Sequence, residues 1–353
     1  MMKRLCWSIV LLLVSFPVLA QEMMPKNIIF MIGDGMGPEQ VKAAGMYLNG
    51  QEGTLSFEGM PVKSEVTTKS ADSSVTDSAA AATAMATGAK VNNKVVSVAL
   101  PGDGKDLKTM LEFFKEKGKL TGVLTTSYLN DATPACFSAH GRKRDDYVEL
   151  SSYMMKDSHP NLLFGGGCKG MSPDLLKEAG YSVSTDLESM EKLSPESKYW
   201  AGLFGSGVLP YEKTGNFDKL PHLSQMVKKA LTLIDNDKGF FIMIEGGLID
   251  KAGHVNKLET NIGETIEFSN AVKAVLDWAK DPKDTLIIVT ADHETGGLTV
   301  IKNSGKGVYP EVTWKSKGHS GVNVPLYAWG MNSEAFSKTI DNTDFFKIIT
   351  SWK

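Results

Sequence analysis

Cysteine is scarce in this 353-residue chain: Cys6, Cys136 and Cys168 are all there is. Cys6 lies inside the apolar opening MMKRLCWSIVLLLVSFPVLAQ, too early to be a lipoprotein attachment site. The other two are open to pairing or to burial as free thiols, because spacing does not decide between these. A strong charge of either sign is missing too. Setting aside Lys3 and Arg4 of the opening leaves 36 of the 38 basic residues against 41 acidic ones, a net charge of −5. No Lys/Arg cluster or basic stripe is present, which argues against nucleic acid as a specific partner. No second apolar run approaches membrane length, so nothing beyond the opening suggests a span. Repeats and low-complexity linkers are lacking as well, and the chain reads as one domain.

What is present begins with that opening. Two basic residues precede an apolar stretch from about Leu5 to Leu19, and Val18-Leu19-Ala20 has the small-residue ending of a cleavage site. This is the pattern of a secretory signal peptide over residues 1–20, too short for a membrane anchor. A mature protein is expected from near Gln21 to residue 353, periplasmic or secreted. With 42% hydrophobic residues it can bury a large core.

Short apolar runs alternate with amphipathic segments. NIIFMIGDG (27–35), LTGVLTTS (120–127), GFFIMIEGG (239–247), TLIIVTADHE (285–294) and VPLYAWG (324–330) read as strands. DLKTMLEFFKEKGK (106–119), LSQMVKKALTLIDN (223–236) and TIEFSNAVKAVLDWAK (265–280) read as helices. This alternation predicts an α/β fold with a largely parallel sheet covered on both faces. Residues 155–220 are richer in Gly, Pro and Ser and are expected to form an irregular excursion.

Several predicted strands stop at hard chemical groups: Asp34, Asp131 a little beyond its strand, Glu245, and Asp292-His293. Ligands of open α/β sheets sit at the carboxyl ends of the strands. A Gly-Asp-Gly is by itself a turn, but four independent segments would deliver such groups to one edge. EGGLIDKAGH (245–254) adds Asp250 and His254 at i and i+4, one helix face, suited either to a metal ion or to a surface pair. Of six histidines, His254, His293 and His319 lie beside Gly, Asp or hydroxyl residues. His159 and His222 read as loop residues without a role. Imidazole with carboxylate suits zinc, and carboxylate with hydroxyl suits magnesium. The inventory therefore fills three sites: Asp250, His254 and His319; Asp292 and His293; and Asp131, Thr133 and Glu245, with Asp34 placed to bridge two of them. In VTDSAAAATAMATG (75–88), Ser78 stands at the predicted start of an alanine-rich helix, and Asp77 reads as the better cap.

In sequence order, IGDGMG (32–37), VTDSAAAATAMATG (75–88), DATPA (131–135) with AHGRKR (139–144), FGGG (164–167), EGGLIDKAGH (245–254), TADHETGG (290–297) and GHSG (318–321) together resemble the alkaline phosphatases across nearly the whole mature length. The resemblance implies a three-layer α/β/α sandwich and hydrolysis of phosphate monoesters through a phosphorylated Ser78. It assigns Asp250, His254 and His319 to one zinc ion, and Asp34, Asp292 and His293 to a second beside the serine. Asp34 would bridge to a magnesium ion completed by Thr133 and Glu245, with Asp131 acting directly or through water. Arg144, four residues after His140, matches the phosphate-gripping arginine, with Arg142 as the competitor; a planar fork can bind two phosphate oxygens. Asp77 then becomes an aid to orienting Arg144. The pair Asp131 and Lys251 marks a bacterial subtype with magnesium at the third site, where animal enzymes carry histidines. The family also implies a homodimer, and the short segment from Gly296 to His319 implies a reduced crown insertion.

Because His319 precedes its strand while the other ligands follow theirs, the strand at 324–329 must run antiparallel for His319 to reach the same edge. Two other readings are a superfamily phosphodiesterase or sulfatase, and an exported phosphate- or metal-binding protein without activity. Phosphodiesterase relatives usually lack the third-site ligands, whereas Thr133 and Glu245 are present. No Cys/Ser-x-Pro-x-Arg motif of a sulfatase lies near Ser78, and no ligand or nucleophile is missing.

Overall fold

Apolar runs without alternation become strands buried on both faces, as a covered parallel sheet requires. The computed structural model describes residues 23–353, so the expected signal segment lies outside the described residues. Its strands are β1 (Asn27–Gly33), β2 (Val62–Thr67), β3 (Leu120–Tyr128), β4 (Leu162–Gly166), β5 (Ser182–Ser184), β6 (Trp200–Phe204), β7 (Phe240–Gly246), β8 (Thr285–Thr290), β9 (Glu294–Thr295), β10 (Leu298–Lys302), β11 (Glu311–Trp314), β12 (His319–Ser320), β13 (Val324–Gly330) and β14 (Ile340–Asp341). Ten of them form one sheet in the order β14-β2-β13-β8-β1-β7-β3-β4-β6-β5. β1, β7 and β8 are buried along their whole length.

Adjacent residues of β7 show both faces covered. Phe241 stacks on Phe114 of the helix Met110–Glu116, while Phe240 turns the other way onto Trp278 of the helix Leu258–Trp278. Successive strand side chains point to opposite faces, so the sheet lies between two helical layers. The helix Leu223–Ile234 buries Leu223, Met226, Val227, Ala230, Leu231 and Ile234, a helical apolar stripe.

The pairings of β1 with β7 and β8, and of β3 with β7 and β4, are parallel. β13 alone in this sheet runs against its neighbours β8 and β2, as the position of His319 demanded. Residues 155–220 depart from the expected irregular excursion: they supply β4, β5 and β6, extending the sheet at one edge. The segment after Gly296 forms the hairpin of β10 and β11. Cys136 and Cys168 are both free, which settles the open pairing in favour of thiols. Among the described residues no helix is long and apolar enough to cross a membrane.

Candidate active site

The central strands β13, β8, β1, β7 and β3 set the site. Asp34 follows β1, Glu245 ends β7 beside Ile32 and Thr125, and Asp292 and His293 follow β8. Asp250 and His254 share one face of the helix Leu248–His254, with His254 Nε2 at 3.3 Å from Asp250 Oδ2. β12 pairs with β9, His319 opposite Thr295, and carries His319 Nε2 to 3.5 Å from Asp250 Oδ1.

Ser78 is the first residue of the helix Ser78–Thr87, capped by Asp77 and closed by Gly88 in the left-handed conformation. All ten residues of that helix are buried, and its small side chains allow this. Ser78 Oγ lies 3.3 Å from His293 Nε2. Arg144 stands between two carboxylates, Nη1 donating to Asp77 Oδ2 and Nη2 to Asp131 Oδ1, both at 3.1 Å. Arg142 is exposed and makes neither contact. Lys251 Nζ donates to Asp131 Oδ2 at 3.1 Å, as does Ser127 Oγ at 2.6 Å.

The imidazoles have fixed tautomers. His254 Nδ1 lies 2.6 Å from the Lys317 carbonyl and His319 Nδ1 2.9 Å from the Thr76 carbonyl. A carbonyl only accepts, so each Nδ1 carries the proton, and the two Nε2 lone pairs face one another at 3.2 Å. Thr295 Oγ1 gives its one proton to Asp250 Oδ1 at 2.5 Å, so at 3.3 Å it accepts from His293 Nδ1. His293 Nε2 is thereby a third lone pair, 3.2 Å from Asp292 Oδ2 and 3.7 Å from Asp34 Oδ1. Those two oxygens, and Thr133 Oγ1, are buried without a hydrogen-bond partner. Acceptors crowded against acceptors in a dry site need cations, and second-shell partners that fix Nδ1–H are how ligating histidines are oriented. The donor set fits metal ions: Asp250, His254 and His319 form one group that could hold an ion, and Asp34, Asp250 and His293 form another.

The electrostatics agree. Burial, reinforced by Asp292, Asp250 and Glu245, drives Asp34 well above the usual carboxylate range. Burial likewise drives Asp292 up to about 8, and burial with Asp131 nearby drives Glu245 up to about 7. His293 is pushed down, by burial first and then by His319. Asp131 and Asp250 are exceptions: burial opposes the ionisation of both, but Lys251, Arg144 and Ser127 hold Asp131 at about 2, and the His254 hydrogen bond with His293 and His319 nearby holds Asp250 well below the usual carboxylate range.

Gly35 makes the convergence possible. Its φ is +72°, and a Cβ there would sit 2.8 Å from Asp250 Cα and 2.9 Å from Thr295 Oγ1. Its N–H donates to Asp292 Oδ1 at 3.0 Å. Sequence reasoning missed Thr295, which orients both Asp250 and His293; its place two residues after His293 is the only local signal. Thr125, bonded to Glu245, was missed too. His222, given no role, pairs with Glu212 at 2.8 Å.

Buried carboxylates and imidazoles gathered around a serine at a helix start define a metal-binding hydrolase built on an α/β sheet. A family model described as alkaline phosphatase matches residues 25–311. Alkaline phosphatase 3 of Bacillus subtilis is 32% identical, the match covering 91% of this chain and 87% of the relative. The Escherichia coli alkaline phosphatase is 30% identical, with 91% and 84% covered. The structure of the alkaline phosphatase from the Antarctic bacterium TAB5 superposes with a TM-score of 0.82 at 30% identity, covering 94% of this chain and all of that one. A variant of that enzyme is described with Mg bound in the M3 site. The chain belongs to the alkaline phosphatase family, and is an enzyme that hydrolyses phosphomonoesters.

Proposed function

We propose that hydrolysis proceeds through a phosphoserine on Ser78, with two zinc ions and one magnesium ion as cofactors. The observation that carries this reading is the set of buried lone pairs beside Ser78 Oγ: His293 Nε2, Asp34 Oδ1 and Asp292 Oδ2. Asp250, His254 and His319 would hold the first zinc; Asp34, Asp292 and His293 the second. Asp34, Thr133 and Glu245 would hold magnesium, with Asp131 acting through water because Arg144, Lys251, Ser127 and Ala132 already occupy its oxygens. Magnesium in the M3 site of the TAB5 variant supports that assignment. When bound, the ions supply positive charge for the attacking and departing oxygens and make water a nucleophile near neutral pH.

Ser78 Oγ attacks phosphorus; the Oγ–P bond forms and the bond to the alcohol oxygen breaks. Water then takes the alcohol's place, the P–Oγ bond breaks, and inorganic phosphate leaves. Arg144, held by Asp77 and Asp131, presents its fork to two phosphate oxygens. Lys251 adds charge on the Asp131 side, and the N-terminus of the Ser78–Thr87 helix adds positive potential. The ligand pair Thr133 and Glu245 supports a monoesterase over a diesterase. The mature protein, residues 21–353, is proposed as a single domain with a reduced crown. It would be exported to the periplasm or beyond after loss of the signal peptide at 1–20, and work as a homodimer.

Zinc- and magnesium-loaded enzyme should be offered nitrophenyl phosphate, its bis-ester and the sulfate in parallel. Preference for the monoester is expected, with acid-trapped phosphate on the wild type and none on Ser78→Ala. Preference for the bis-ester or sulfate, or unchanged labelling of Ser78→Ala, defeats the reading.

A further inference from the structure

His319 is the ligand with the least support from the main sheet. Its strand β12 is two residues long, lies outside the ten-stranded sheet and pairs with β9. Residues 315–317 and 321–323, on either side of it, are exposed. Asp292 and His293, by contrast, follow a strand buried throughout.

The ribbon of β9 and β12 has two faces, because successive strand side chains point to opposite sides. The opposed pair Thr295 and His319 faces the proposed ions: Thr295 Oγ1 donates to Asp250 Oδ1, and His319 Nε2 lies 3.5 Å from the same oxygen. The next pair, Glu294 and Ser320, takes the other face. There Ser320 Oγ donates to Glu294 Oε2, while Glu294 Oε1 accepts from Gln40 Nε2 at 2.8 Å and from the Leu298 N–H at 3.2 Å. Gln40 lies in the first turn of the helix Pro38–Asn49, and a Cβ on its cap Gly37 would overlap the Glu294 side chain. That turn follows Asp34 closely, so one carboxylate ties together segments that carry ligands distant in the chain. Gln40 Nε2 also donates to the Thr295 carbonyl at 2.9 Å, closing the network on β9. Glu294 and Gln40 are buried, and the three donors to the carboxylate are all neutral. A buried anion is costly, and the positive end of the helix offsets part of that cost. The reaction itself uses none of Gln40, Glu294 and Ser320.

We propose that Glu294 is a positioning residue for His319, and that its bond to Ser320 sets the affinity of the ion shared by Asp250, His254 and His319. The inference rests on the zinc assignment above and deepens it. The Thr76 carbonyl orients the His319 ring through Nδ1. The Glu294–Ser320 bond fixes the backbone that carries the ring. Loss of such outer partners weakens metal affinity roughly 10- to 100-fold.

The test titrates the zinc-stripped full chain with zinc against a chromophoric chelator, alongside single and double variants. His319→Ala identifies the ion at issue by weakening it alone. Ser320→Ala should weaken the same ion roughly tenfold or more and leave the other zinc as in the wild type. Ser320→Thr keeps the hydroxyl and should restore binding. Glu294→Gln keeps an oxygen for Gln40 and Leu298 and an N–H for Ser320 Oγ, so it should lose less than Ser320→Ala. In the Ser320→Ala background it should weaken that ion no further, since the bond is already gone. Cobalt in place of zinc gives a second readout: its visible spectrum at this site should change in Ser320→Ala and return in Ser320→Thr. Wild-type affinity in Ser320→Ala, equal weakening of both ions, no rescue by threonine, or additive losses in the double variant overturns the assignment. A His319→Ala protein that binds both ions as the wild type does strikes instead at the zinc assignment.

Discussion

Asp77→Asn separates two tasks carried by one carboxylate. Oδ1 accepts from the backbone N–H of Ala80 and of Lys94, each at 3.0 Å, while Oδ2 accepts from Arg144 at 3.1 Å. Asparagine caps a helix as well as aspartate does. With its carbonyl toward Ala80 the helix start survives, and its NH₂ group meets the guanidinium donor to donor. A hydrogen bond to a charged group contributes about 1.5–3 kcal/mol. Arg144 keeps its second anchor on Asp131, so the lower end applies, about 1.5 kcal/mol or roughly tenfold in phosphate binding. Inorganic phosphate is therefore expected to inhibit the variant roughly tenfold more weakly, with a matching rise in KM for nitrophenyl phosphate and a small change in thermal midpoint. Asp77→Ala removes the cap as well, at a cost of about 1 kcal/mol, and should melt clearly lower. Steady-state kinetics and calorimetry on both variants check this. If Asp77→Asn melts as low as Asp77→Ala, or if phosphate inhibition is unchanged in it, the division of labour is wrong.

Chelation should expose the strain in the ligand set. A carboxylate with a raised folded-state value destabilises from about pH 4, where the unfolded chain ionises, until it ionises itself; that point is about 7 for Glu245 and about 8 for Asp292. The fall in thermal midpoint on adding chelator should therefore widen from about pH 5 to about pH 8 and then level off; a constant fall across that range would contradict it. Phe241→Ala empties a fully buried position between Phe114 and Phe137. It should cost about 3–5 kcal/mol in denaturant unfolding while leaving phosphate inhibition of the folded enzyme as it was.

The central strands were legible because a strand covered on both faces must be apolar throughout, and the ligands were legible because they interrupt such runs. Asp250 and His254 showed themselves by helical spacing, and His319 by its place between Gly318 and Ser320, from which the direction of the following strand was deduced. β2 escaped because VKSEVT lies toward the sheet's margin with buried and open positions mixed. β4 escaped because it lies in the stretch 155–220, whose Gly, Pro and Ser content reads as irregular. Its glycines are instead demanded by crowding: a Cβ on Gly166 would meet the Gly207 carbonyl at 2.3 Å. The helix expected from Thr265 begins at Leu258, since Thr260, Asn261 and Glu264 are polar residues on a buried face and break the apolar stripe. Thr295 was illegible for a different reason: its partner Asp250 lies 45 positions away, and nothing local to a threonine announces such a bond.

The place of β1 at the centre of the sheet bears on how the molecule comes into being. The first strand to leave the ribosome waits for its neighbours: Asn27 bonds to Thr285 across 258 positions. Closing a loop of that length costs about 5 kcal/mol in chain entropy before any pairing repays it, and topologies with such distant contacts fold slowly. A chain that stops short of β8 holds Asp34, Thr133, Glu245, Asp250 and His254 but lacks Asp292, His293 and His319, so both proposed zinc sites stay incomplete. The two imidazole-bearing sites close only when the last part of the chain joins the sheet, and catalytic competence waits for that late step and for the ions that follow it.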